Sequence, residues 1–221
     1  MPNQLLAMIV SLMLGYACGN FLTADIVSRA ITGKTVFDLG VGNPGMANVG
    51  HELGHKAALV VLAGDILKTV LAWLLARMLF PGHAELVGLC AGLGATLGHN
   101  HPFWHHFKGG KGVATSAAAV SLTAPLAAAA AALAGIVGTV ATNYLCYGAV
   151  VAAFAYWALI AFARSVFSAE SLVALAFALL MVRAHWSSIQ AARAGTQRYA
   201  TLALKVRKRL GLPLPTDRNR H

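Results

Sequence analysis

Apolar residues fill this chain in long blocks, running from about Leu5 to Ile31, Ala57 to Phe80, Ala84 to Leu97, Val113 to Ala163 and Leu172 to Val182. A helix needs about 20 apolar residues to cross a bilayer, and blocks of this length match that requirement. The run from Val113 is too extended for two ordinary spans without a break, and Pro125 and the pair Thr142-Asn143 divide it. The pattern predicts a short helix before Pro125, one from Pro125 to about Thr142 and one from about Cys146 to Ala163. The expectation is an all-α, polytopic membrane protein with about seven transmembrane helices, the fourth of them short. A single integral membrane domain over residues 1–221 accommodates all of them.

Composition agrees: 58% of residues are hydrophobic and only 11% charged, with a mean hydropathy of +0.67. The formal charge of +10, from 17 basic and 7 acidic residues, raises the question of nucleic acid. Nine of the 17 basic residues lie from Arg183 onward, however, and no pattern for reading bases accompanies them. A basic tail from about residue 183, beside a last span, fits cytoplasmic retention and contact with anionic lipid. With an odd number of spans, the N-terminus is then expected outside and the C-terminus in the cytoplasm. The first block lacks a basic n-region and exceeds a usual signal h-region, so it reads as a retained span. Cys18, Cys90 and Cys146 fall in apolar blocks without metal spacing and read as buried thiols.

Three polar segments fall on the cytoplasmic side in this topology: Gly40 to Gly50 (GVGNPGMANVG), Lys108 to Gly112 (KGGKG) and the segment from Arg183 to Tyr199. In the second, Gly109 and Gly110 precede Lys111, and Gly112 precedes the next apolar block. Glycine permits close backbone approach and helix-start amides bind anions, so phosphate is the first candidate ligand. This is not a Walker A sequence: His105 stands where a glycine is required, and Gly112 stands where serine or threonine should follow the lysine. The first loop combines glycines with Asn43 and Asn48, suited to wrapping a polar ligand, although a turn-rich connector has the same composition. Asp65 and Lys68 are three apart and share a helix face, readable as a neutralising structural pair or a catalytic one. Asp25 has no obvious partner. His99, His101, His105 and His106 crowd one region, but no carboxylate or thiolate lies nearby to complete a metal set, so they read as interfacial. His185 is placed just past the last span, where a histidine can act as acid, base or phosphate donor.

Gly98 to Thr115, GHNHPFWHHFKGGKGVAT, resembles the loop G-H-x-x-P-x-x-x-x-F-K-G-G-K-G-V-A-T of the bacterial acyl-phosphate-dependent glycerol-3-phosphate acyltransferases. GVGNPGMANV is similar to their G-S-G-N-x-G-A-T-N-V loop, and Gly64 to Thr69, GDILKT, to their D-x-L-K-G segment. The resemblance covers nearly the whole chain. It implies a seven-helix enzyme of the bacterial inner membrane, with a cytoplasmic active site and neither metal nor other cofactor. That enzyme would move an acyl group from acyl phosphate to glycerol 3-phosphate, giving lysophosphatidic acid and phosphate. Its partners are those two substrates and the lipid bilayer, with no nucleic acid and no obligate protein partner. Lys111 and His185 take the catalytic positions. Gly109, Gly110, Lys111 and Gly112 hold the acyl phosphate, and Asn43, Gly45, Asn48, His51 and Ser188 lie on the acceptor side.

The chain departs from the family pattern mostly on that acceptor side. Val41 stands for the usual serine, Ala47 for threonine, His51 for arginine, Ser188 for asparagine and Gln197 for glutamate. Loss of a guanidinium fork should weaken binding of a dianionic acceptor, with His51, His55 or Lys56 placed to compensate. The alternatives are an acyltransferase with another acceptor, or a non-catalytic lipid- or anion-binding membrane protein or transporter on the same scaffold.

Overall fold

The protein is described here by a computed structural model that covers residues 3–215, among which every regular element is helical. In chain order these are α1 (Gln4–Gly19), α2 (Thr23–Thr32), α3 (Met46–Leu53), α4 (His55–Leu79), α5 (Ala84–Asn100) and α6 (Val113–Thr123). There follow α7 (Pro125–Thr142), α8 (Leu145–Arg164), α9 (Ala169–Arg193) and α10 (Thr201–Arg209), with three short 3₁₀ turns between elements. Five stretches are long and apolar enough to cross a membrane: α1 with α2 taken as one, α4, α7, α8 and α9. With the 17-residue α5 and the 11-residue α6 they make up the expected set, α6 being the short member before Pro125. Side chains such as Leu126 (87% exposed) and Phe162 (94%) point out of the protein, as lipid-facing residues must. This is a multi-pass membrane protein.

The chain divides into two compact units, Met1–Ala124 and Pro125–His221. In the first, α1 packs on α5 through small residues four apart. A Cβ on Gly15 or Gly19 would run into the carbonyls of Ala91 or Ala95, and one on Gly94 or Gly98 into those of Leu12 or Tyr16. Helices this close gain van der Waals contact that no apolar driving force supplies inside lipid. A single methyl there has nowhere to go. Gly98→Ala is expected to destabilise the fold by about 1–3 kcal/mol, lowering the midpoint of fluorescence-monitored thermal unfolding by several degrees. Gly82→Ala, where a Cβ meets open space, serves as the control and should leave the midpoint in place.

The second unit contains α7 to α10. Gly148 of α8 fits against Thr139 and Gly135 of α7, and Cys146 of α8 packs with Ile189 and Ala192 of α9. Helix α10 is tied to α7 by Arg207, whose Nη1 donates to the Val140 carbonyl at 2.9 Å, and Ala200 N donates to the Asn143 carbonyl at 2.8 Å.

Three features differ from the sequence reading. The first apolar block is broken at Asn20 to Leu22, where Leu22 leaves the helical region and Asn20 spends its side chain on neighbouring backbone. The first glycine loop is shorter than its composition suggests, because from Met46 onward it is the helix α3. Helix α9 continues to Arg193, so His185 and Ser188 sit on a long helix rather than on a tail beyond it, and within the basic tail Thr201–Arg209 forms α10. The apolar-block criterion stops where charges begin, whereas the backbone hydrogen bonds of a helix do not.

Candidate active site

Helix α5 ends at Asn100, and the chain then doubles back over that end. Tyr16 and Asn20, at the end of α1, anchor the turn. Tyr16 Oη donates to the His101 carbonyl at 2.9 Å, Asn20 Oδ1 accepts from Phe103 N at 2.7 Å, and Trp104 Nε1 donates to the Asn20 carbonyl at 3.3 Å. His106 and Phe107 reverse the chain with positive φ angles of 52° and 59°, which brings Lys108 to Gly112 across the top of α5. Gly110 N donates to the His99 carbonyl at 3.0 Å, seating the loop.

All three glycines of the loop touch α5 or the residues after it, where a side chain could not. A Cβ on Gly109 would meet the carbonyls of His99 and Asn100, one on Gly110 would meet His99 Nε2, and one on Gly112 would meet Asn100 Oδ1. Gly112, with φ +71°, turns directly into α6, whose first turn has no side-chain cap. Its own carbonyl accepts from Ser116 Oγ at 2.6 Å and Thr115 Oγ1 at 3.0 Å. Half-buried Lys111 stands immediately before this helix start. The loop therefore gathers backbone N–H donors, the positive end of a helix and an ammonium group, the ingredients of an oxyanion site.

Beneath the loop lies a buried ionic cluster. Lys68 Nζ of α4 is 2.9 Å from Asp65 Oδ1, 2.8 Å from the Phe21 carbonyl and 2.9 Å from His99 Nδ1, and His99 Nδ1 is 3.3 Å from Asp65 Oδ1. The side chains of Asp65 and Lys68 are 4% and 6% exposed. The sequence showed the Asp65–Lys68 pair, and the third member is His99, which had been grouped with the interfacial histidines. The Nδ1 edge of His99 meets Lys68 and Asp65, and its Nε2 is the atom that faces Gly110. A cluster holding α4, α5 and the end of α1 together is thus also the support of the glycine loop.

The first loop is built on Asp25, whose carboxylate takes Arg29 Nε at 2.8 Å, Thr35 Oγ1 at 2.6 Å and Val36 N at 3.0 Å. Gly40 and Gly42 have positive φ, and the loop closes on Asn48. Asn48 Oδ1 accepts from Val41 N at 3.0 Å and its Nδ2 donates to the Leu39 carbonyl at 2.9 Å, all within a buried position. Asn48 is a brace of the loop, and its amide is largely committed there. Asn43 accepts from Gly45 N at 2.8 Å through its carbonyl, which leaves its carboxamide outside the loop's backbone pattern. His51 Nδ1 lies 2.8 Å from Glu52 Oε1 on the exposed side of α3. Phe37 and His105 bring the two loops into contact, their ring centroids 5.5 Å apart.

Of the residues singled out from sequence, Asn43, Gly45, Asn48, His51 and Gly109 to Gly112 belong to the first unit, and His185 and Ser188 to the second. His185 is buried on α9, and its Nδ1–H donates to the Met181 carbonyl at 3.1 Å, which makes Nε2 the nitrogen with the lone pair.

These features define an all-helical, multi-pass membrane scaffold with a glycine-rich loop at a helix start. The glycerol-3-phosphate acyltransferase family profile matches residues 9–195. A glycerol-3-phosphate acyltransferase 1 of Deinococcus radiodurans is 36% identical over 194 residues, covering 87% of this chain and 96% of that protein. One of Lactobacillus acidophilus is 45% identical over 112 residues, covering 51% of this chain and 54% of its own length. The matched region thus spans about half of that second relative. The chain belongs to the glycerol-3-phosphate acyltransferase family. Its fold is that of PlsY (YgiH), an integral membrane glycerol 3-phosphate acyltransferase. The crystal structure of the lysophosphatidic acid form gives a TM-score of 0.75 at 23% identity, over 90% of this chain and 98% of that one. The glycerol 3-phosphate form gives 0.74 at 24% identity, over 91% and 97%.

Proposed function

We propose that this protein transfers a fatty acyl group from acyl phosphate to glycerol 3-phosphate, releasing lysophosphatidic acid and inorganic phosphate. It does so as a single integral membrane domain of the bacterial inner membrane, with its C-terminus in the cytoplasm. The observation that carries this reading is the glycine loop seated on the end of α5, with Lys111 at the start of α6, in a chain of this family.

Acyl phosphate is a mixed anhydride, already activated. The acceptor hydroxyl oxygen attacks the acyl carbon, the bond from that carbon to the phosphate oxygen breaks, and the hydroxyl proton passes to a base or to the departing phosphate. Catalysis then consists of positioning and of stabilising charge on the leaving oxygens, with no covalent enzyme intermediate. Gly109, Gly110 and Gly112 let the backbone close around phosphate, and Lys111 supplies the charge. Asn43 and Gly45 shape the acceptor side of the first loop, with Asn48 holding it in form. The resemblance gives His185 a catalytic role and Ser188 an acceptor-side one.

The test is phosphate release by the purified full chain given palmitoyl phosphate, with and without glycerol 3-phosphate. Acceptor-dependent release with lysophosphatidic acid as the product supports the reading, and release no faster than spontaneous hydrolysis by folded protein rejects it. On the acceptor side, Val41 is 76% exposed where the family pattern has serine, and exposed His51 stands where it has arginine. His51→Arg restores a bidentate phosphate ligand, and a charged hydrogen bond contributes about 1.5–3 kcal/mol. The variant is expected to lower the KM for glycerol 3-phosphate by about tenfold with kcat little changed. An unchanged KM would point to a different acceptor.

A further inference from the structure

Asn100, the last residue of α5, is only 4% exposed, and neither Oδ1 nor Nδ2 has a hydrogen-bond partner. A buried carboxamide with both ends unmet is expensive, because each lost partner leaves a desolvated dipole, and an apolar residue of similar size would avoid the cost. Thr96, one turn earlier on the same face, shows the ordinary solution by donating to the Gly92 carbonyl at 3.0 Å. Asn100 has no such outlet.

What its amide faces is Gly112. A Cβ at that position would collide with Asn100 Oδ1, so the absence of a side chain at 112 leaves the amide against the turn that begins α6. That turn has the complementary deficit: α6 carries no side-chain cap, and the first N–H groups of a helix have no partners within it. Unmet donors of a helix start and an unmet carboxamide therefore meet at one place, beside Lys111. With no partner fixing its sense, a half-turn of the amide presents either its oxygen or its NH2 group to that place. A ligand with several acceptor oxygens satisfies both at once.

We propose that Asn100 is a phosphate-binding residue of the glycine loop, its carboxamide donating through Nδ2 to an oxygen of the phosphoryl group held by Lys111 and the start of α6. This rests on the acyl-phosphate reading for the identity of the natural ligand, but the site itself is one for phosphate. Asn100 holds the group that leaves, so it governs affinity for acyl phosphate and for the phosphate product, with no part in binding the acceptor.

The experiment uses the full chain in detergent, with inorganic phosphate as the probe. Two readouts are taken: thermal stabilisation by phosphate, and inhibition of acyl transfer from palmitoyl phosphate. In Asn100→Leu the phosphate-free protein should melt at or above the wild-type temperature, because an unmet polar group is gone. Its apparent affinity for phosphate should fall about tenfold, the worth of one hydrogen bond to a charged group, and the KM for palmitoyl phosphate should rise in step. The KM for glycerol 3-phosphate should stay as it is. Asn100→Ala, which cannot overpack, gives the same reading if leucine does not fit. Unchanged phosphate affinity in a folded variant overturns the proposal, as does a wild type that phosphate neither stabilises nor inhibits. Asn100-dependent phosphate binding without acyl transfer would keep this site and reject the acyltransferase reading. Transfer with phosphate affinity indifferent to residue 100 would do the reverse.

Discussion

Lys111→Ala is expected to reduce acyl transfer from palmitoyl phosphate at least a hundredfold while the protein remains folded. Lys111 directly precedes Gly112, where the glycine turn becomes α6, and the glycines on either side of it face His99 and Asn100 where a side chain would collide. Charge accumulates on the phosphate oxygens as the carbon–oxygen bond breaks, so a cation placed there lowers the barrier more than it strengthens substrate binding. Removing one such preorganised group costs about 10²–10³ in kcat. The loss should therefore appear in kcat, with the KM for glycerol 3-phosphate nearly constant and the thermal midpoint close to wild type. A variant retaining wild-type kcat would remove Lys111 from the chemistry and with it the assignment of the loop.

Asp65→Leu is expected to have the largest effect on stability. The carboxylate is the only acidic group paired with Lys68 among the described residues, and the pair is almost wholly removed from solvent. Without it the ammonium keeps the Phe21 carbonyl and His99 Nδ1, both neutral acceptors. Breaking one side of a buried pair costs about 3–5 kcal/mol, whereas replacing both sides by apolar groups of similar size is often close to neutral. The single variant should lower the thermal midpoint by roughly 10 °C, and the double variant Asp65→Leu/Lys68→Met should recover most of that loss. A midpoint unmoved in the single variant would mean that the cluster carries no stability. Recovered stability with poor activity in the double variant would show that the cluster also orients His99 under Gly110.

How much of this was legible in the sequence differs from residue to residue. Pro125, which cannot continue a helix that precedes it, and the pair Thr142-Asn143 mark the limits of α7, because those signals act within one or two residues. The pairing of Asp65 with Lys68 was equally legible, since a spacing of three on a helix brings side chains together. His99 as third member was not. Its distance of 31 residues from Lys68 carries no local signal, and the neighbouring histidines suggested a surface role instead. Asn48 stands on α3 rather than in the loop that the sequence suggested, and from there it holds Val41 and Leu39, which only the folded structure reveals.

The sequence by itself determined the membrane class, the short helix before Pro125, the glycine loop with its lysine and the family. All of these rest on composition, on signals between near neighbours and on one contiguous motif. Tertiary structure alone decided what the loop rests on. The glycines are required because α5 ends directly beneath them, and α5 lies where it does because Gly94 and Gly98 let α1 approach within backbone contact. The ionic support under Gly110 and the unmet amide under Gly112 come from helices distant in the chain, and burial is what makes both consequential: in water an idle amide or a lone ammonium costs almost nothing, and inside the protein each must find a partner.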